Sequence, residues 1–359
     1  MTSRERFLTT INGGIPDRPP LYISFTPQSA EKVCREIGIP YEEPIDSMLS
    51  THISHTGLCM HLGTDSVATA ATPPANRPTS VSEEGLITNE WGMVFFDAGF
   101  YNEFYSYPLA HAETVKDIED YPFFDPFDKS RFSLAHQTVG KYGDKFGIIA
   151  DLECSIFETS WYLTGLEKFL MDMMMGKPYV EALLDRVAWI NTETGKDLIR
   201  AGADIIWCGD DFGSQQGLMI DLGTWRKYFK PRISGMFESL RSVKPDIKIA
   251  WHSCGAVYEL IPDFIELGLD ILNPIQPEAA GMDPVRLKKE YGKDLMFFGG
   301  ISIQDLLPNG TPEQIRNEVF RRAEILGKEG GYIIAPAHNI QEDTPVENIL
   351  AFTDAVKAL

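Results

Sequence analysis

From about residue 146 onward, short apolar runs alternate with longer segments whose apolar residues recur at helical spacing. This alternation is typical of βα units around a parallel sheet. Six runs are predicted strands: "FGIIADLE", "ADIIWCGDD", "KIAWHSCG", "LDILNPIQ", "LMFFGGIS" and "GYIIAPAH". With "PLYISF" and "DSVATA" near the N-terminus they make eight, the number that closes a (β/α)8 TIM barrel. A doubly wound open sheet also fits the alternation, but it requires no such count.

Helical segments separate these strands, among them "SIFETSWYLTGLEKFLMDMM", "YVEALLDRVAWINTETGKDLIRAG" and "TWRKYFKPRISGMFESLRSV". The second ends at Gly202, which we expect to be its C-cap because glycine adopts the left-handed conformation without strain. A length of 359 residues is within the range of one barrel with insertions. We therefore expect a single domain over residues 1–359.

Residues 72–130 interrupt the alternation and are rich in proline, glycine and aromatic residues. Within them, "VSEEGLITNEWGMVFF" alternates apolar and polar residues around a glycine turn, which predicts a β-hairpin. We expect this insertion to lie over the barrel mouth. Its aromatic side chains would either form a lid that contacts an aromatic substrate or pack the hairpin onto the barrel. They are Trp91, Phe95, Phe96, Phe100, Tyr101 and Tyr105.

The charge balance and the cysteines narrow the class of protein. Lys and Arg total 32 against 52 Asp and Glu, a net charge of −20, so a polyanion such as DNA or RNA would be repelled. Five scattered cysteines do not resemble a disulfide framework and favour reduced thiols. The sequence has no signal-peptide run and no apolar stretch of membrane-spanning length, so we expect a cytoplasmic protein.

The residues that follow the strands are informative, because active sites in such barrels lie at the carboxyl ends of the strands. His252 and Cys254 are two residues apart at one strand end, so both side chains point to the same face. His338 follows the last strand. A thiolate and two imidazoles suit Zn²⁺, and three protein ligands leave one position open for substrate. The alternative is that all three are packed core residues.

Further polar residues follow other strands. Glu153 is a candidate fourth ligand or substrate contact, although its carboxylate could instead stabilise the N-terminus of the next helix. Asp210 and Asp211, in the loop "WCGDDFGSQQG", are candidate catalytic residues that orient the substrate or shuttle a proton, or else turn residues. We expect Gln276 and Asn339 to contact polar groups of the substrate.

Two other pairs admit both a structural and a functional interpretation. His52 and His55, three residues apart, are expected to be structural, with metal chelation as the alternative. Gly299 and Gly300 end a strand, where the absence of side chains would let a flat ligand approach the backbone. The alternative for these glycines is a simple turn.

The order of these motifs resembles that of the uroporphyrinogen decarboxylase superfamily, and within it the corrinoid-dependent methyltransferases. The resemblance covers essentially the whole chain, from "SRERFLTTINGGIPDRPP" through "GDDFGSQQGLMIDLGTWRKYFKPR" and "HSCGAVYELIPDFIELGLDILNPIQ" to "GGYIIAPAHNIQEDTPVENI". Members of this branch that work with coenzyme M bind zinc through a His-x-Cys pair and a later Cys. The resemblance implies that His252 and Cys254 bind zinc, with His338 in the position of the later Cys.

This substitution by His338 changes the charge of the implied zinc site. One thiolate and two neutral imidazoles leave it at about +1, whereas one imidazole and two thiolates leave it neutral. A stronger Lewis acid favours polarising the oxygen of a methyl ether over handling a coenzyme M thiolate. The resemblance then implies a methyltransferase for O-demethylation. It would move a methyl group from a small donor, such as a methoxylated aromatic, to the Co(I) of a corrinoid (cobalamin) on a partner protein.

Two other functions remain open. Tetrapyrrole decarboxylation is the family alternative, and it requires cationic contacts for several carboxylates. The stretches "PLYISFTPQSAEK" and "TDSVATAATPPAN" lack the residues that decarboxylases of the family carry there. A metal-free barrel acting as a binding protein is the third function. The sequence also leaves open whether the chain forms a homodimer.

Overall fold

The computed structural model of the protein describes residues 1–45, 52–99 and 102–359, with the exception of the Glu153 side chain. Phe100 and Tyr101, two aromatic residues of the expected insertion, lie outside the described residues. Within that range no helix is both long enough and apolar enough to cross a membrane.

Seven parallel strands form the main sheet. In chain order the strands of the protein are β1 (Ser66–Ala70), β2 (Ser80–Val81), β3 (Ile87–Thr88), β4 (Val94–Asp97), β5 (Asn102–Ser106), β6 (Gly147–Glu153), β7 (Ile205–Gly209), β8 (Lys248–His252), β9 (Ile271–Ile275), β10 (Met296–Ile301) and β11 (Tyr332–Pro336). The main sheet has the order β1-β6-β7-β8-β9-β10-β11, and every neighbouring pair is parallel. The α/β class and the parallel sheet predicted from the sequence are therefore confirmed.

The segment around Leu21 links the two edges of this sheet. The N–H of Tyr22 donates to the carbonyl of Ile334 in β11 at 3.0 Å, and the carbonyl of Leu21 accepts the N–H of Asp65 at 2.8 Å. The sequence predicts a strand here, yet only isolated bridges form. The two preceding prolines have no N–H, and the N–H of Leu21 donates to the Asp65 carboxylate at 2.8 Å. Seven of the eight expected strands are thus present among the described residues.

Inward-facing side chains of the main sheet form one apolar cluster. Ile149 of β6, Ile271 of β9 and Ile333 of β11 belong to it. Strands this far apart in the sheet order can share an inner cluster only if the sheet curls, as in a TIM-like fold. The same cluster includes Phe7, whose ring lies against Gly147 at the first residue of β6. Phe7 therefore covers the end of the curl opposite the carboxyl ends of the strands.

Helices pack around the main sheet. They are α1 (Ser3–Ile11), α2 (Pro27–Ile37), α3 (Thr56–Leu62), α4 (Val115–Glu119), α5 (Ser133–Tyr142), α6 (Phe157–Thr164), α7 (Leu166–Met174), α8 (Pro178–Ala201), α9 (Leu222–Tyr228), α10 (Lys230–Val243), α11 (Ile261–Glu266), α12 (Pro284–Tyr291), α13 (Leu306–Asn309), α14 (Pro312–Arg322) and α15 (Val346–Lys357). Gly202 ends α8 with a φ of 118°, which confirms the expected C-cap. Two segments expected as single helices are each divided, at Gly165 between α6 and α7 and at Phe229 between α9 and α10. A φ of 91° at Gly165 and the missing N–H of Pro231 explain the breaks.

Strands β2 to β5 form a separate antiparallel sheet within residues 72–130. Turns at Gly85 and Gly92, with φ angles of 81° and 80°, join β2 to β3 and β3 to β4. The expected hairpin is therefore present, and β5 extends it. Phe104 of β5 packs against Trp161 and Tyr162 of α6, with ring centroids 5.8 and 4.9 Å apart. This contact places the small sheet beside the segment that follows β6.

Candidate metal centre

Side chains from two strand ends meet at the carboxyl edge of the main sheet. One potential ligand atom each from His252, Cys254 and His338 lies within 4.8 Å of the other two. His252 is the last residue of β8, and His338 follows the end of β11 by two positions. Parallel strands end at the same edge, which explains how residues more than eighty positions apart become neighbours. The structure brings the three residues together, and metal binding by them stays a prediction.

The distance between the ligand atoms of His252 and Cys254 fits a zinc ion. The sulfur of Cys254 lies 3.4 Å from Nε2 of His252. Tetrahedral ligands with Zn–S of about 2.3 Å and Zn–N of about 2.0 Å would be about 3.5 Å apart. Thiolate and imidazole are also ligand types that zinc prefers. The residues present therefore fit the metal that the sequence predicts.

Asn273 orients the ring of His252. Its side-chain oxygen lies 2.7 Å from Nδ1 of His252, and the two residues are register partners in β9 and β8. An amide oxygen accepts hydrogen bonds, so Nδ1 of His252 carries the proton. The unprotonated Nε2 then faces Cys254. A bond of this kind is the usual way in which a protein holds a metal-binding histidine.

The loops after β7 and β8 pack backbone against backbone, which fixes the position of Cys254. A Cβ atom on Gly213 would lie 2.6 Å from the carbonyl oxygen of Cys254, and one on Gly255 would lie 2.5 Å from that of Ser214. The N–H of Gly255 donates to the side-chain oxygen of Gln276 at 2.7 Å. Gln276, expected to contact substrate, therefore also holds the loop that carries Cys254.

Of the two adjacent aspartates, Asp211 faces the candidate centre. Its carboxylate accepts the N–H of Cys254 at 2.7 Å and lies 3.6 Å from Nε2 of His252. The N–H of Asp211 donates to Glu158 of α6 at 3.0 Å, and the other carboxylate oxygen of Glu158 accepts the hydroxyl of Tyr162 at 2.9 Å. Burial, followed by the charges of the two aspartates, raises the pKa of Glu158 well above its usual range.

Asp210 points away from the centre and binds the start of α6. Its buried carboxylate accepts the N–H groups of Ile156 and Glu158 at 3.1 and 2.9 Å. Burial raises the pKa of Asp210 to about 7. In this arrangement Asp210 therefore has no direct contact with a substrate at the candidate centre. Sequence reasoning missed Glu158, although an acidic residue in the first turn after β6 was a signal for it.

Two of the remaining expected substrate contacts are placed at the same edge. Glu153 ends β6 and pairs with Gly209, whose partner in β8 is His252. The Glu153 side chain lies outside the described residues. Asn339 directly follows His338 and is buried. The backbone positions agree with the expectation, and the roles of both residues stay predictions.

His52 and His55 do not come together as a pair. The ring of His55 packs on Tyr41, whereas His52 stacks on Trp207 with ring centroids 4.4 Å apart. His52 also lies 6.5 Å, centroid to centroid, from His338. The sequence predicts a structural role for His52, yet the structure puts it beside the candidate centre. No local pattern around residue 52 indicates that position.

The space beside Gly299 and Gly300 is filled by the protein itself. Their φ angles are 115° and 90°. A Cβ atom on Gly299 would lie 2.9 Å from the backbone nitrogen of Ile275, and one on Gly300 would lie 3.0 Å from the hydroxyl of Tyr332. Both glycines lie within β10, where the pairing with β9 is irregular, so they are neither the expected turn nor an open platform for a ligand.

Comparison with known proteins agrees with this architecture. Over 204 residues the chain is 26% identical to the methylated-thiol–coenzyme M methyltransferase of Methanosarcina mazei, a match that covers 56% of this chain. The chain spans about half the length of that relative, since 50% of it is covered. A solved methyltransferase from Methanosarcina mazei superimposes over 100% of this chain and 99% of its own, with a TM-score of 0.73 and 18% identity. That second likeness shows the fold alone.

The C-terminal part of the chain also matches one protein family directly. Residues 105–359 match the uroporphyrinogen decarboxylase (URO-D) family. This range includes the six strands β6 to β11 and all three candidate metal ligands. The chain therefore belongs to the uroporphyrinogen decarboxylase family.

Proposed function

We propose that this protein is a zinc-dependent methyltransferase that transfers a methyl group from a small methylated donor to the Co(I) corrinoid of a partner protein. The observation that carries the proposal is the convergence of His252, Cys254 and His338 within 4.8 Å. Membership of the URO-D family and the similarity to a methyltransferase support the same reaction class. When bound, zinc supplies a Lewis acid that polarises the leaving atom of the donor.

The ligand set favours an oxygen atom as the leaving group. A Cys254 thiolate with two neutral imidazoles gives a site of about +1, because only one ligand carries a negative charge. Less neutralisation by the ligands leaves more positive charge for a hard oxygen at the open position. We therefore infer a methyl ether, such as a methoxylated aromatic, as the donor in an O-demethylation. The relative from Methanosarcina mazei is a methylated-thiol–coenzyme M methyltransferase. Methylated thiols are therefore a second candidate donor class, and coenzyme M is a second candidate acceptor.

Residues of the chain would position the donor. We infer that Asp211 orients it or moves a proton, since its carboxylate lies 3.6 Å from Nε2 of His252. Asp210 would act through the start of α6, where its carboxylate binds. The other donor contacts that we infer are Glu153, Gln276 and Asn339.

The fold supports access from the carboxyl edge of the sheet. We infer that the curled sheet closes through the Leu21 segment into a single barrel domain over residues 1–359, since this segment bonds to both edges. We also infer that residues 72–130 lie over the mouth, because Phe104 packs on α6. The corrinoid would enter from the same side. A cytoplasmic location fits the five cysteines, none of which forms a disulfide in the described part of the chain.

Element analysis of the purified protein tests the metal centre. We expect about one zinc per chain in the wild type and a large loss in His338→Ala. His61→Ala is the matched control, because His61 is an exposed histidine of α3. Equal metal content in all three proteins would remove His338 from the ligand set.

A methyl-transfer assay with Co(I) corrinoid then tests the reaction. The donor panel contains methoxylated aromatics and methylated thiols, and we expect transfer from the ethers. Transfer from the thiols alone would assign the second donor class. No transfer from any donor would favour tetrapyrrole decarboxylation or a binding protein.

A further inference from the structure

Beneath the candidate centre, solvent reaches one layer of the barrel interior and no further. The side chains of His52 and Asp151 are 4% and 2% exposed, compared with 8% for the side chain of His252. Two residues earlier in β6, on the same inward face, Ile149 is 0% exposed. Asp151, His52 and Trp207 thus form the bottom of the mouth, and we call these three residues the polar floor.

The polar floor lies directly under two of the candidate ligands. Asp151 and Trp207 are register partners in β6 and β7. His52 stacks on the indole with an interplanar angle of 15°, and its Nδ1 lies 3.5 Å from the carboxylate of Asp151. The ring centroid of Trp207 is 6.1 Å from that of His252, and the centroid of His52 is 6.5 Å from that of His338. A ligand on the metal would therefore be close to the floor.

The indole N–H of Trp207 finds no acceptor in the part of the chain that the structure describes. The same is true of Trp225 and Trp251, but these pack against phenylalanine rings between the sheet and the helices. Trp207 differs because it lies beside a carboxylate and an imidazole at the limit of solvent access. A buried N–H without an acceptor is unfavourable, so an acceptor atom from outside the chain is expected here.

We propose that the polar floor is a subsite that binds an oxygen atom of the molecule held at the metal centre. The N–H of Trp207 donates to this oxygen, while His52 and Asp151 hold the indole in place. The oxygen belongs to the methyl ether donor, or to a water molecule before the donor binds. Sulfur is a weak acceptor, so the subsite selects ethers over methylated thiols. This subsite rests on the proposed function for its metal centre and its donor, but it does not require that the protein transfers a methyl group.

A binding measurement tests the subsite without using activity. Trp207→Phe removes the N–H and keeps an aromatic ring, and Trp225→Phe removes an equally buried N–H from the outer layer. Both zinc-loaded variants should keep wild-type metal content, because neither residue is a ligand. In calorimetric titrations with 2-methoxyphenol we expect Kd to rise about tenfold in Trp207→Phe and to stay unchanged in Trp225→Phe. Equal Kd values in the wild type and Trp207→Phe would overturn the proposal.

A crystal structure of the zinc-loaded wild type gives a second readout that depends on no variant folding. We expect an oxygen atom, from water without the probe and from 2-methoxyphenol with it, within hydrogen-bonding distance of Trp207 Nε1. The absence of an oxygen atom within hydrogen-bonding distance of Trp207 Nε1 in both crystals would overturn the subsite. An oxygen at that position in a protein that transfers no methyl group would keep the subsite and remove the proposed reaction.

Discussion

The side-chain oxygen of Asn273 lies 2.7 Å from Nδ1 of His252, on the neighbouring strand of the main sheet. Because the two residues are register partners, the geometry of the bond is set by the sheet and not by a loop. The bond turns Nε2 of His252 toward the sulfur of Cys254, which lies 3.4 Å away. Partners of this kind often contribute a factor of about 10 to 100 to metal affinity.

Removing this bond should weaken metal binding. We expect Asn273→Ala to lower zinc affinity about 10-fold to 100-fold, measured by competition with a chelator. Asn273→Asp keeps an oxygen acceptor and should retain most of the affinity. Asn317→Ala, at an exposed position of α14, is the control. Unchanged affinity in Asn273→Ala would show that the ring of His252 is held by other contacts.

The close packing of the loops after β7 and β8 should also matter for Cys254. Gly255 has a φ of 81°, and an added Cβ would lie 2.5 Å from the carbonyl of Ser214. Gly85 has the same φ of 81° with nothing within 4 Å, so it is a matched control. Backbone strain should cost both Gly255→Ala and Gly85→Ala about 1 kcal/mol of stability, and Gly255→Ala should lose more because its Cβ would also clash with the carbonyl of Ser214. Only Gly255→Ala should also lose zinc, by element analysis, and equal zinc in both would mean that the loop can shift freely.

The meeting of the three candidate ligands could be predicted because it depends on regular geometry. Parallel strands end at one edge of the sheet, so His252 at the end of β8, and Cys254 and His338 two positions beyond β8 and β11, are expected to lie close together. The same reasoning could not find His52. Its place beside Trp207 depends on a segment between two helices, for which no periodicity sets the direction of a side chain.

Other differences between the predicted and the observed structure arise from contacts between residues that are distant in sequence. The strand expected around Leu21 is limited to bridges because the carboxylate of Asp65, 44 positions away, accepts its N–H. Asp210 and Asp211 are equivalent as a sequence pattern. They differ because the start of α6 lies beside the end of β7. Asp210 binds this buried helix end, whereas Asp211 faces His252.

Replacing His338 by cysteine should separate metal binding from donor preference. The thiolate is a good zinc ligand, so His338→Cys should retain metal, but a second thiolate lowers the charge of the site from about +1 to neutral. We expect transfer from methyl ethers to fall at least about tenfold while zinc content stays within error of the wild type. Parallel assays with an ether and a methylated thiol measure this shift. Equal ether activity in both proteins would show that site charge does not set the donor class.

Asp210 should make the stability of the protein depend on pH. Burial raises the pKa of its carboxyl to about 7, compared with about 4 in an unfolded chain. The folded state then binds the proton more tightly, so this contribution to stability is complete below pH 4 and is lost as pH rises through about 7.

Asp210→Asn cannot ionise, and its side-chain oxygen can still accept an N–H of α6. The free energy of unfolding of the wild type relative to Asp210→Asn should therefore fall by about 1 kcal/mol per pH unit between pH 4.5 and 7 in urea titrations. Asp294→Asn, at an exposed position, should follow the wild type, and a parallel pH profile in Asp210→Asn would contradict the assignment.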